Sequence, residues 1–164
     1  MPDGIKIIDA DLASPDHQRA ILTMLDAYMR DPMGGNTPMP ATTKRDLIPG
    51  LRAHPACYIF LAYTDNKPVG FSTCFLGFST FQARPLINIH DIFVHPSARG
   101  KGIGRLLLKK IETKARKLNC CRLTLEVRED NEPARTLYRK VGFDRVVVGP
   151  NQIPMEFWRK PLPD

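Results

Sequence analysis

The stretch HPSARGKGIGRLLL, His95 to Leu108, sets three glycines among three cationic side chains just before an apolar run begins. Before it lies PLINIHDIFV, Pro85 to Val94, rich in β-branched residues and ended by a proline, which reads as a strand. After it, Ile103, Leu107, Ile111, Ala115 and Leu118 recur at helical spacing with charged residues between them, which predicts an amphipathic helix over Ile103 to Leu118. The order strand, glycine turn, helix decides for an α/β fold. It also has a chemical consequence, because the first turn of a helix holds backbone N–H groups without intrahelical partners and the positive end of the dipole. Glycine at 100, 102 and 104 keeps Cβ atoms away from the amides of Arg99 to Arg105, so an anion can approach them, with Arg99, Lys101 and Arg105 adding charge. The dinucleotide fingerprint fails, since its third glycine would fall at Leu107. The nucleotide-triphosphate loop fails too, since Lys101 is followed by Gly102 rather than Ser or Thr.

Working outward, SPDHQRAILTMLDAYMR (Ser14 to Arg30) has helical spacing at Ile21, Met24, Leu25 and Met29, and a shorter helix is predicted over Thr43 to Ala53. Between them RDPMGGNTPMPATTK (Arg30 to Lys44) is dense in chain breakers, and long ordered loops in small domains tend to be functional. CYIFLAYT (Cys57 to Thr64) and FSTCFLGFSTF (Phe71 to Phe81) read as strands joined by the turn DNKPVG, with Gly77 as a bulge. CRLTLEV (Cys121 to Val127) is a further strand. A helix over Pro133 to Val141 ends with Gly142 in the left-handed C′ position, and DRVVV and PMEFWRKPL make two last strands. Hairpins followed by strand–helix–strand–helix–strand predict a mixed α/β sheet of about six to seven strands with about four helices over it.

The chain has 164 residues, a net charge of +7 and 43% hydrophobic residues, so one globular domain over 1–164 is expected, with an anionic partner favoured by the charge. No apolar run reaches membrane-spanning length, and MPDGIKIIDADLASPDH lacks a signal-peptide core, which predicts a cytoplasmic protein without a membrane partner. The basic residues are spread over helix faces without a nucleic-acid motif, so no nucleic-acid partner is expected. Cys57, Cys74, Cys120 and Cys121 lack C-x-x-C spacing and read as reduced core residues, with no metal site expected.

Two elements together now carry a resemblance. Arg99, Gly102 and Gly104 match Q/R-x-x-G-x-G/A after a strand, and Asn131, Ala134, Leu137, Tyr138, Gly142 and Phe143 match N-x-x-A-x-x-L-Y-x-x-x-G-F in full. In these the chain resembles the GNAT superfamily of N-acetyltransferases, which use acetyl-coenzyme A. The resemblance covers about Asp65 to Asp144, the expected coenzyme-binding core, and only by order and length the first helices. It implies a single GNAT-like domain whose central strand splays from its neighbour, with the pantetheine arm of acetyl-CoA lying in the gap along the backbone of Ile92, Phe93 and Val94. The pyrophosphate would then rest on Arg99, Gly100, Lys101, Gly102, Ile103, Gly104 and Arg105, and Asn131 would contact the coenzyme arm. A homodimer is a further implication, since relatives often pair.

The same resemblance gives Tyr138 the role of general acid toward the leaving thiolate, a role for which a phenol of pKa about 10 is suited. Its helical spacing with Ala134, Leu137 and Val141 would equally suit core packing. For the base, strand alternation puts Asn88, His90, Ile92 and Val94 on one face and Ile89, Asp91 and Phe93 on the other. His90 stands where many relatives carry glutamate, and an imidazole can accept a proton near neutral pH. Asp91, facing away, is the second candidate and a substrate contact. The acceptor, a primary amine of a small molecule or peptide, is expected to meet the Arg30 to Lys44 loop and Gly77 to Phe81. There Met33, Met39, Phe78 and Phe81 could form an apolar wall and Asp31 could receive an ammonium. The competing class is a non-catalytic module that binds acyl-CoA for regulation.

Overall fold

The computed structural model describes residues 4–162. In order the chain forms β1 (Ile5–Asp9), α1 (Pro15–Arg30), α2 (Ala41–Ala53), β2 (Cys57–Thr64), β3 (Lys67–Ser79), β4 (Arg84–Val94), a 3-10 turn (Pro96–Ala98), α3 (Ile103–Lys117), β5 (Leu123–Leu125), α4 (Glu132–Lys140), β6 (Val147–Val148) and β7 (Ile153–Pro154). It divides into two compact units, one ending at Leu125 and the other beginning at Glu126.

The first unit is a five-stranded sheet in the order β1-β2-β3-β4-β5. All pairs are antiparallel except β4 with β5, which is parallel. Cross-strand partners share a face, so the register sorts the core into two layers. Ile59 and Leu61 of β2, Phe71 of β3 and Phe93 of β4 pack with Ala20, Ile21 and Met24 of α1 and Ile48 of α2. On the opposite face Ile103, Leu107 and Ile111 of α3 are buried, with Phe60, Ala62 and Ser72 of the sheet. Full burial of each aliphatic side chain is worth about 1.5–3 kcal/mol, so these two layers hold the sheet in place. α1 starts where Ser14 accepts a hydrogen bond from the His17 amide at 3.4 Å and Pro15 opens the first turn, as a capped N-terminus requires.

In the second unit, α4 is capped by Asn131, whose Oδ1 accepts from the Ala134 amide at 3.3 Å. Gly142 ends it at φ +96°, and the Phe143 amide then bonds the Tyr138 carbonyl at 3.0 Å, as expected of a left-handed helix end. β6 and β7 pair only with each other, antiparallel.

Several details differ from the sequence reading. DRVVV and PMEFWRKPL form a two-stranded sheet of their own from Val147–Val148 and Ile153–Pro154 instead of extending the central one. Two prolines, Pro154 and Pro161, interrupt the second of these segments, and proline cannot donate to a ladder. CRLTLEV gives only three paired residues. β1, IKIID, was not anticipated, and its pairing with β2 completes the sheet. Gly77 is in unbroken register with Leu86, so it makes no bulge; the irregularities lie at Thr73/Cys74 and at Ala62/Tyr63. Among the described residues no helix is long and apolar enough to cross a membrane.

Candidate functional site

α3 begins differently from α1 and α4, which have side-chain caps. Its N-cap is Gly102 at φ +80°, no side chain caps it, and its first helical bond runs from the Leu106 amide to the Gly102 carbonyl. The amides of Ile103, Gly104 and Arg105 therefore lack intrahelical partners. Gly100 is also left-handed, at φ +79°, and a Cβ on either Gly100 or Gly102 would meet no protein atom within 4 Å. The turn is thus open toward solvent, with backbone donors and the helix dipole facing the opening and exposed Lys101 and Arg105 beside it. Ile103 contributes only backbone, since its side chain is buried against Gly70.

The strand feeding this turn has one free edge. β4 pairs with β5 only at Ile87, Asn88 and Ile89, so among the described residues no strand pairs with His90 to Val94 on that side. The amide of His95 bonds the Val69 carbonyl at 2.9 Å. Hydrogen-bonded and non-bonded pairs alternate in an antiparallel ladder, so Phe93 bonds toward β3 while the N–H and C=O of Ile92 and Val94 turn to the free edge. One of these groups is already taken. Arg99 Nε donates to the Val94 carbonyl at 3.0 Å. An extended amide-bearing ligand can add to the edge through Ile92 and the Val94 amide, and Arg99 marks where that ladder ends. The Arg99 guanidinium also lies 5.7 Å from the centroid of the Phe93 ring, which stacks on Tyr28 at 5.3 Å.

The register shift at Thr73/Cys74 makes His90 an extra residue: Ile89 opposes Cys74 and Asp91 opposes the very next residue, Thr73. A bulge resets alternation, which corrects the expected faces. Ile89 and Ile92 lie on the α3 side, whereas Asp91 and Phe93 lie on the α1 side with Thr73 and Phe71. His90 joins them there, its ring edge-on to Phe75 at 5.5 Å, while Phe75 in turn contacts the His54 ring at 5.0 Å. Asp91 thus shares a face with His90 rather than opposing it. Burial pushes the Asp91 carboxyl above its ordinary range, opposed by the nearby His90 charge and a hydrogen bond from Thr73. Ser72, fully buried, donates from its hydroxyl to the Asp91 carbonyl at 2.7 Å and holds the bulge. Neither Ser72 nor Thr73 was singled out from sequence; a signal was present in two successive polar residues, His90 and Asp91, where strict alternation allows one.

Asp31 departs from its expected use. It ends α1 with its side chain only 7% exposed, and its carboxylate accepts from Met33 N at 2.9 Å and from Arg99 Nη2 at 2.7 Å. Both oxygens are engaged within the fold instead of standing open to a substrate ammonium. Burial raises its pKa, but the Met33 amide and the Arg99 guanidinium outweigh this and hold it below the usual carboxylate range. The loop after it folds back on α1: Gly34, Gly35 and Asn36 donate to the Asp31 carbonyl, and Met39 N donates to Asp26 at 2.7 Å. A Cβ at Gly34 would come within 1.8 Å of the Tyr28 carbonyl oxygen, so only glycine lets the loop lie so close.

Phe78 falls with Cys74 and Leu76 on the α3 face, opposite His90 and Asp91, and is 63% exposed. It does not join them. Phe81 is wholly exposed at the β3–β4 turn. In the second unit Asn131 caps α4, and Tyr138 is buried with its ring 5.8 Å from Phe143. The four cysteines are unpaired thiols, and burial pushes Cys57 to about 11 and Cys74 to about 12, which removes both as thiolate nucleophiles near neutral pH. Among the described residues no cluster of His, Cys, Asp and Glu suited to a metal ion occurs.

Comparison with known proteins bears on this geometry. The model of the "Acetyltransferase (GNAT) family" matches residues 21–143. An uncharacterized N-acetyltransferase of Methanocaldococcus jannaschii is 36% identical over 90 residues, 54% of this chain and 40% of that protein. A ribosomal-protein bS18 alanine N-acetyltransferase of Haemophilus influenzae is 36% identical over 90 residues, 55% and 57% of the two chains. The thialysine N-epsilon-acetyltransferase of Bos taurus is 36% identical over 74 residues, 45% and 43%. The matched segments thus span about half the length of these curated relatives. Among solved structures, an aminoglycoside acetyltransferase from an uncultured soil metagenomic sample superposes with a TM-score of 0.75 at 19% identity, covering 96% of this chain and 98% of that one. An integron cassette protein of V. cholerae superposes at 0.77 with 23% identity, covering 96% and 93%.

Proposed function

The chain belongs to the acetyltransferase (GNAT) family, an acyltransferase enzyme by that membership, and from this premise we propose that it moves acetyl from acetyl-CoA to a primary amine of a small molecule or peptide by direct attack. The observation that carries the proposal is the continuity of two features, the free edge of β4 from His90 to Val94 and the uncapped, glycine-lined start of α3. The first suits an extended amide-bearing arm and the second a pyrophosphate, in the order in which coenzyme A joins them. The family match includes residues of both compact units.

The donor, when bound, supplies an acyl carbonyl activated as a thioester. The Ile92 backbone and the Val94 amide orient its arm, and the amides of Ile103 to Arg105, with Lys101 and Arg105, neutralise its phosphates. His90 takes the proton that an ammonium acceptor must lose before its lone pair can attack, with Asp91 on the same face. Tyr138, in a role that the N-x-x-A-x-x-L-Y match supports, gives its phenolic proton to the thiolate as the C–S bond breaks. The acylated nitrogen then gives up its second proton, which restores the Tyr138 phenol, so that one net proton leaves through His90 and no covalent enzyme intermediate forms. Relatives named for acting on a ribosomal-protein alanine, thialysine and aminoglycosides support an amine acceptor.

Thiol release from acetyl-CoA across a panel of amines tests the reading. Amine-dependent release, lowered about a hundredfold in Tyr138→Phe, is expected from loss of a general acid. Tight coenzyme binding with no release for any amine would favour a non-catalytic acyl-CoA module instead.

A further inference from the structure

We propose that Asp31 is a positioning residue that couples the two halves of the reaction: through its ion pair with Arg99 it ties the α1–α2 loop, on the acceptor side, to the end of the β4 edge that receives the donor. The inference rests on the acetyl-CoA reading above. Its physical basis is a chain of contacts within the first unit. One end is the loop, where the Asp31 carbonyl accepts from the amides of Gly34, Gly35 and Asn36 at 2.8, 3.1 and 3.3 Å, and one carboxylate oxygen accepts from Met33. The other carboxylate oxygen takes Arg99 Nη2 at 2.7 Å. Arg99 then reaches the far end, with its Nε on the Val94 carbonyl and its guanidinium face over Phe93.

Several features separate this pair from the surface ion pairs around it. Most of those join residues within a few positions of one another, whereas this one spans 68 positions. Its carboxylate is the most buried member of any ion pair among the described residues, 7% exposed, while the arginine is half exposed. An asymmetric pair of this kind orients more than it stabilises. The buried carboxylate has lost its water and must keep a cation, so it fixes where the guanidinium stands. The fixed guanidinium in turn occupies the Val94 carbonyl, which would otherwise be a further acceptor on the free edge. It therefore determines how far along β4 an incoming arm can pair, and so where the acyl carbon comes to rest relative to His90. A shift in the loop on meeting an acceptor is transmitted to the donor edge by the same contacts, and the coupling must act in both directions.

The test is a double-mutant cycle read by calorimetric binding of acetyl-CoA, with KM and kcat for both substrates measured in parallel. Asp31→Asn keeps an oxygen for the Met33 amide and leaves the backbone bonds alone, while it replaces the charged oxygen that faces Arg99 with an NH2 group that cannot accept. Arg99→Gln can still donate to Val94 but cannot form the ion pair. Each single variant is expected to weaken acetyl-CoA binding about tenfold, the size of one charge-assisted hydrogen bond, and to raise donor KM more than it lowers kcat. The double variant is expected to bind no worse than either single, and Asp31→Glu to recover most of the loss. Wild-type binding with Asp31→Asn unchanged, or losses that multiply in the double variant, would overturn the coupling while leaving the acetyltransferase reading intact. Absence of acetyl-CoA binding by the wild type would remove both together.

Discussion

Two aspartates on the α1 side of the sheet, Asp31 and Asp91, are withdrawn from water and shifted in opposite directions. Burial raises both carboxyls. At Asp31 the Met33 amide and the Arg99 guanidinium reverse the effect and keep it ionised. At Asp91 the nearby His90 and the Thr73 hydroxyl do not. The balance between loss of water and the charge and hydrogen bonds of the partners sets the sign. A carboxylate that is fully partnered holds other groups in place; one left short of partners is ready to exchange a proton. This contrast supports the proposed roles, with Asp31 as scaffold for the α1–α2 loop and the β4 bulge as the place of proton removal.

The contrast can be broken most directly at the bulge. His90→Gln preserves size and hydrogen bonding but cannot serve as a base, and kcat is expected to fall about 10²- to 10³-fold with acetyl-CoA affinity unchanged. A normal kcat would place proton removal elsewhere. Next in size is Gly34→Ala, which drives a Cβ onto the Tyr28 carbonyl and should cost on the order of 3 kcal/mol or dislodge the loop, seen as a lower Tm and a weakened Asp31–Arg99 pair. The opposed pKa shifts give a smaller, pH-dependent pair of outcomes. Asp31, lowered on folding, contributes stability that is present above its unfolded pKa of about 4 and lost as pH falls through its folded value. Asp91, raised on folding, contributes stability that is present below about pH 4 and lost as pH rises through its folded value. Thermal melts at neutral pH should therefore show Asp91→Asn stabilised and Asp31→Asn destabilised. Melts moving in the same direction would dissolve the contrast. Smallest is Ser72→Ala, which frees the Asp91 carbonyl at a cost of about 1 kcal/mol and should speed amide exchange at the bulge.

What the sequence conveyed follows the range over which its signals act. RGKGIG opening a helix, the buried stripe Ile103, Leu107 and Ile111, and the cap–glycine frame of Asn131 and Gly142 are local patterns, and the structure reproduces them within a residue or two. The expectations that failed depend on partners distant in the chain. Strict alternation set His90 with Ile92 and Val94 and opposite Asp91, but His90 is an inserted residue that resets the period and shares the face of Asp91. Asp31 looked available to a substrate because its partner Arg99 lies far along the sequence. The final segments looked like central strands, though only Val147–Val148 and Ile153–Pro154 pair, and only with each other. The backbone geometry of the α3 turn was thus readable, while the pairings around Asp31 and His90 depend on side chains brought together by folding.

The central claim is that bare backbone, more than side-chain charge, holds the donor at the start of α3. Calorimetric titration with acetyl-CoA of Gly102→Ala beside Lys101→Ala tests it. The added Cβ meets no protein atom within 4 Å, so it costs the fold only the left-handed strain of about 1 kcal/mol while intruding on any ligand above the amides. Gly102→Ala is expected to lose at least about thirtyfold in affinity and Lys101→Ala no more than about fivefold, as for an exposed charge. The reverse order, or equal affinity in Gly102→Ala and the wild type, would contradict the account.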